Sequence, residues 1–298
     1  MLYTNADFEN YAKDPAVVQF NGKYFLYHSI MIDGRLNIGI SCSEDGENFV
    51  RIANLPITQK CEKNGIGAPG CILVKGQIHL FYQTYGNNKL DAICHAVSSD
   101  GINFVKDESN PVFAPRMPWA KMPSWSCGRA IDADVCVFGD KMILYFATRD
   151  KDFEKQIVGA AWAYLDSDFS AGDFYLHKEP VLKPELDWEM TCIEGPASVV
   201  IDGKVYMFYA GAYNCSPQQI GCAVSDDGFR FRRLSDQPFL SNGAPGDWNA
   251  SESGHPYVYE TDDGHLWLYY QGSPDMGKSW YLSRRELLFD KGKFILKD

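Results

Sequence analysis

Three observations predict an all-β chain, a five-bladed β-propeller formed by a single domain over residues 1–298. Strand-like runs joined by tight turns recur in five passes, with a period of about 60 residues. The runs are dominated by β-branched and aromatic residues, and long helical periodicity is absent. The pattern S-x-D-G-x-x-F stands at matching places in three passes, at Ser43 to Phe49, Ser98 to Phe104 and Ser225 to Phe231. A four-stranded unit cannot bury both faces alone, and radial stacking of such units solves this. A β-sandwich is the competing architecture, but the matched recurrence favours blades.

The first pass opens at Asp14-Pro15 with D-P-A-V-V-Q-F, turns at Asn21-Gly22, and continues with K-Y-F-L-Y-H-S and N-I-G-I-S-C-S. The second opens at Ala68-Pro69 and later gives A-I-C-H-A-V-S-S-D-G-I-N-F. The third opens at Ile131-Asp132, with A-D-V-C-V-F-G-D-K-M-I-L-Y-F-A-T after it. The fourth runs from Cys192 to Ala212, where Asp202-Gly203 supplies the positive φ of a two-residue hairpin turn. The fifth opens at Gly254-His255-Pro256 and continues through H-L-W-L-Y-Y-Q-G. In S-x-D-G-x-x-F the Asp-Gly pair makes a turn and the Phe packs between blades, a structural role.

Several function classes are excluded by composition. The net charge of −11 argues against nucleic acid or an anionic membrane as partner. No apolar run is long enough to span a bilayer. The opening M-L-Y-T-N-A-D-F has neither the basic nor the apolar region of a secretory signal. The expected location is cytoplasmic, or secreted if a leader has been removed. The nine cysteines are scattered, with no C-x-x-C pair, and read as reduced small hydrophobes.

In a propeller the first strand of each blade lines the central channel. Residues at the same end of those strands converge, and here they bring together Asp14, Asp132 and Glu194. Acids so gathered raise one another's pKa. Glycoside hydrolysis requires such a set, one carboxyl protonated for the leaving oxygen and one ionised to activate water or attack. The longer segments between blades hold Trp119, Trp125, Trp188 and Trp248, each a sugar-stacking platform or a blade cap. Trp125, Trp188 and Trp248, with Arg129 and His255, are the expected substrate-binding residues.

These motifs together resemble the five-bladed glycosidases of glycoside hydrolase family 43. Asp14-Pro15 with K-Y-F-L-Y resembles that family's general-base blade, and Ile131-Asp132-Ala133 its I-D-P segment. Ile193-Glu194-Gly195-Pro196 resembles its general-acid blade, and Gly254-His255 its fifth blade. The resemblance runs through all five passes. It implies Glu194 as general acid, Asp14 as general base and Asp132 as modulator of the acid's pKa. It implies an inverting hydrolase of pentose glycosides, α-L-arabinofuranosides or β-xylosides, acting on an oligosaccharide or small glycoside. No cofactor is required. His255 is a candidate ligand for a water-mediated structural calcium.

The departures are Ala133 where Pro is usual, and Gly67 and Gly70 in place of the second blade's usual Trp and acid. Families 32 and 130 share the architecture. A retaining fructosidase-like hydrolase, in which Asp14 attacks directly, is the alternative enzyme. A silent carbohydrate-binding propeller is the non-enzyme alternative. Carboxyl groups about 5–5.5 Å apart mark retention and about 6.5–9.5 Å inversion.

Overall fold

In the computed structural model, which describes residues 2–5 and 10–297, the chain forms five antiparallel sheets arranged as the blades of a propeller. Met1 and Asp298, the ends of the expected 1–298 domain, lie outside the described residues. The first four blades each hold four strands in sequence order, and their innermost strands are Lys13–Phe20, Ile66–Val74, Ile131–Phe138 and Ile193–Ile201. The fifth blade begins with Glu252–Glu260. In the first, second and fourth blades, inner and second strands are joined by two-residue turns with both residues left-handed, as at Asp202 (φ 51°) and Gly203 (φ 72°).

The fifth blade closes the ring. Its third strand, Tyr281–Asp290, pairs at its start with Leu2–Tyr3 and at its end with Lys293–Leu296. The N-terminal pair also reaches the first blade, since Tyr3 Oη lies 2.7 Å from Ser41 Oγ.

Blades bury their faces against each other, giving one apolar cluster at each blade interface. The S-x-D-G-x-x-F turns lock three of these interfaces. Asp45 Oδ1 accepts the N–H groups of Glu47 and Asn48, and Asp100 and Asp227 do the same in their turns. The turn glycine's carbonyl then accepts a buried tyrosine hydroxyl from the adjacent blade. Tyr27 donates to Gly101, Tyr145 to Gly228 and Tyr269 to Gly46. Phe104 and Phe231 meet Tyr27 and Tyr145 edge to face.

All nine cysteines are free. Among the described residues no helix is long and apolar enough to cross a membrane.

At the axis the inner strands come very close. A Cβ on Gly70 would stand 2.2 Å from the carbonyl oxygen of Ala133 in the next blade. This explains the missing acid at the second blade's mouth, because no side chain fits there. Gly70→Ala is expected to cost about 1–3 kcal/mol by overpacking. Thermal unfolding should show a fall of several degrees in Tm. An unchanged Tm would mean that the axis relaxes freely.

Candidate active site

Each inner strand is interrupted once, at the same place. Its pairing shifts register between Lys13 and Ala16, Gly67 and Gly70, Ile131 and Asp134, Glu194 and Ala197, and Gly254 and Tyr257. A left-handed residue sits in every interruption: Asp14 (φ 52°), Ala68 (42°), Asp132 (52°), Gly195 (53°) and His255 (39°). Such bulges bend the strand and re-aim side chains. Left-handed non-glycine residues cost about 1–3 kcal/mol each and persist where their surroundings hold them.

Here the preceding blade does the holding, through a side chain of its second strand. The N–H groups of Asp14, Ala68 and Asp132 donate to Gln271 Oε1 (3.0 Å), Ser29 Oγ (2.8 Å) and Gln83 Oε1 (2.7 Å). One expectation is corrected by this alignment. Asp14 and Asp132 occupy equivalent positions, but the residue equivalent to them in the fourth blade is Gly195. Glu194 precedes the bulge residue by one, at the position of Lys13 in the first blade.

The three acids nevertheless meet. Asp14, Asp132, Glu194, His255 and Arg129 line one pocket of about 300 Å³ at one end of the channel. Tyr11, Leu36, Tyr85 and Tyr213 contribute its less polar wall. A Cβ on Gly67 would lie 2.4 Å from Leu36 Cδ2, so Leu36 fills the space of the absent second-blade tryptophan. A larger groove of about 770 Å³ between the rims of the fourth and fifth blades carries Asp202 as its one acidic residue.

The loop tryptophans do not line the pocket. Trp119 covers Gly159 and donates to Lys178 O (2.7 Å). Trp188 lies against Gly211 and Gly221 and stacks on Tyr209, and Trp248 covers Gly272 beside Tyr270. Glycines on the strands leave flat slots that indoles fill, so these three cap blades. Trp125 meets Phe153 edge to face, with the Lys89 ammonium 4.6 Å above its ring. The aromatic side chains that do line the pocket are tyrosines, of which Tyr85 is 45% exposed.

The His255 ring ties two of the acids together. Its Nδ1 lies 2.9 Å from Asp14 Oδ1 and its Nε2 lies 3.4 Å from Glu194 Oε1. Burial opposes the imidazolium, but Asp14 and Asp132 outweigh burial and raise its pKa well above 6.5. Burial likewise opposes ionisation of Asp14, yet His255 and Lys13 hold its carboxyl down at about 2. Burial drives Asp132 up to about 6, with His255 pulling it down and Glu194 and Asp14 pushing it further up. On Glu194 burial is outweighed by His255, Gln218 and Lys13, and its pKa is lowered. Glu194 accepts from Gln218 Nε2 (2.8 Å) and from Gln156 Nε2. Gly254 makes room for this, since a Cβ there would stand 1.8 Å from Gln218 Oε1.

Ligand atoms of Asp132, Glu194 and His255 lie within 4.8 Å of one another, as a metal centre requires. The donor chemistry does not suit calcium, which takes six to eight oxygens. The imidazole faces a carboxylate from each nitrogen, and an imidazolium has no lone pair to offer a cation or its water.

Sequence reasoning misses Lys13, Arg149, Gln156, Gln218 and Tyr213, all at or beside the pocket. Gln156 and Gln218 carry a faint signal: Gln156 begins its blade's third strand, Gln218 directly precedes its own, and each bridges to the next blade, at Cys192 and Glu252.

The profile of the family described as "Glycosyl hydrolases family 43" matches residues 3–294. No curated protein matches the chain. Among solved structures, a thermostable family-43 glycoside hydrolase superposes with TM-score 0.77 at 22% identity, over 99% of this chain and 96% of that one. An endo-1,4-beta-xylanase from Bacteroides thetaiotaomicron gives 0.78 at 20% identity, over 96% and 94%. An alpha-L-arabinofuranosidase from Lactobacillus brevis gives 0.72 at 15% identity, over 98% and 95%.

Proposed function

Because the chain belongs to glycoside hydrolase family 43 and is a glycoside hydrolase, we propose that it inverts the anomeric centre of pentose glycosides, cutting from a chain end. One observation carries the inverting reading: a whole imidazole ring stands between Asp14 and Glu194, touching both. Two carboxylates that meet different nitrogens of one ring are spaced by it, and the wider spacing is the one inversion uses. The pocket volume, about 300 Å³, is at the small end for ligand sites and suits a terminal sugar. Solved neighbours named as a xylanase and an arabinofuranosidase support pentose as the sugar class.

In this reading Asp14, ionised across the working pH range, takes a proton from the attacking water. Glu194 gives a proton to the leaving oxygen. In the empty pocket burial raises Asp132 while His255, Gln218 and Lys13 lower Glu194. A bound leaving oxygen accepts only from a protonated Glu194, and Asp132 is then the ionised neighbour that helps it keep that proton. Tyr85 and Tyr213 present ring and hydroxyl to the sugar.

Hydrolysis of nitrophenyl arabinofuranosides and xylosides, followed by proton NMR, tests this. The first anomer released should be the inverted one; a retained first anomer would assign the retaining mechanism to Asp14.

Asp132→Asn should move the alkaline limb of the kcat/KM–pH profile down by about one unit or more, since a negative neighbour that helps Glu194 keep its proton is gone. An unmoved limb would remove Asp132 from the proton's path.

A further inference from the structure

We propose that the pocket receives an anionic group together with the sugar, the carboxylate of a uronic acid on the leaving side, and that Arg129 and Arg149 grip it. This deepens the glycosidase reading and rests on it. The pocket sets four cationic or cation-forming side chains against the three carboxylates Asp14, Asp132 and Glu194. Lys13, Arg129 and Arg149 line it beside His255, in a chain whose net charge is −11.

Asp14 and Glu194 are already answered by other groups. His255 contacts both, and Lys13 acts on both. Arg129 acts on Asp132 and Asp91 without pairing with either, and Arg149 is left in surplus. Neither forms an ion pair with a carboxylate among the described residues, and the Nε of each is buried without a partner. Arg149 donates to the Tyr213 hydroxyl and packs over the Tyr213 and Phe153 rings while lining the pocket, none of which cancels its charge. Both arginine side chains are half-buried, and a guanidinium nitrogen taken out of water with no partner is costly.

A sugar hydroxyl satisfies one N–H and neutralises nothing. A carboxylate satisfies two in the planar geometry of guanidinium, and cancels the charge. Position gives the side: Arg129, Arg149 and Glu194 all act on Tyr213, so the arginines stand near the proton donor to the leaving group. A neutral pentose is then cut from an acidic neighbour.

The test is calorimetric binding to Glu194→Gln protein, which keeps failure of pentoside turnover separate from failure of this assignment. The probes are xylotriose, xylotriose branched with glucuronic acid, and inorganic phosphate. Hydrogen bonds to a charged partner of this kind correspond to about 10- to 100-fold in affinity. The branched probe should bind tighter than the neutral one by that factor. Arg129→Gln and Arg149→Gln should each erase most of the preference, while Arg149→Lys, with charge but no fork, should restore part of it. Equal binding of branched and neutral probes overturns the proposal. So does a preference that survives both Arg→Gln variants with unchanged Tm. Saturable phosphate binding lost in the same variants, with a sugar 1-phosphate product from the unmutated enzyme by phosphorus NMR, would assign the anion to phosphate instead. There the anomeric C–O bond breaks, a phosphate oxygen bonds to that carbon, and Glu194 protonates the departing oxygen.

Discussion

Glu194→Gln should lower turnover of unactivated oligosaccharides by about 10²- to 10⁴-fold, the usual contribution of a general acid. An activated aryl leaving group departs with little protonation, so its rate should fall far less. Binding should survive, for a reason visible in the local hydrogen bonds. Gln218 and Gln156 both donate to Glu194, and each has a buried Oε1 without a partner. When the substituted side chain presents an amide N–H toward Gln156, that neighbour restores the match by turning its own amide over, while Gln218 stays fixed by its bond to Ala212 O and goes on donating. The measurement is kcat on xylobiose against kcat on a dinitrophenyl pentoside. Equal losses on both would count against Glu194 as the acid.

Asp14→Asn should depress both substrate types, again by about 10²- to 10⁴-fold, because water must be activated whichever group leaves. Asn suits the test because it tolerates the left-handed backbone found at this position. Asp14→Ala would mix strain with lost chemistry. The variant also strips His255 of its closest counter-charge, at 2.9 Å, and the imidazole pKa should fall. Added azide needs no base, so it should recover activity and yield the glycosyl azide. Wild-type rates on both substrates without azide would remove Asp14 from the mechanism.

The blades are legible in the chain because their signals are local. Asn21-Gly22 and Asp202-Gly203 are turn chemistry, and the S-x-D-G-x-x-F copies mark the same corner three times. Asp14 and Glu194 are legible because each stands at the mouth of a strand beside Pro or Gly, and Asp132 because it opens the third pass at the matching place. The one-residue offset of Glu194 is also written there, since Pro15, Pro69, Pro196 and Pro256 align the mouths and place Gly195 opposite Asp14. The tryptophans mislead because an indole in a loop looks the same whether it will meet a sugar or a bare glycine. The partners of Trp188, Gly211 and Gly221, lie well along the chain in other strands. Gln156, Gln218, Arg149 and Tyr213 stay hidden because only the ring brings ends of different strands to one pocket.

The composite outer edge of the fifth blade bears on kinetics. Leu2 pairs with Ser283 and Tyr3 with Leu282, residues from opposite ends of the chain, alongside the pairing of Lys293–Leu296. A contact so distant in sequence forms late, after the loop-closure entropy of the whole ring has been met. The clasp is then absent from the rate-limiting barrier. Weakening it at Tyr3 should leave the refolding rate nearly unchanged and speed unfolding, so the clasp governs how long the native enzyme persists.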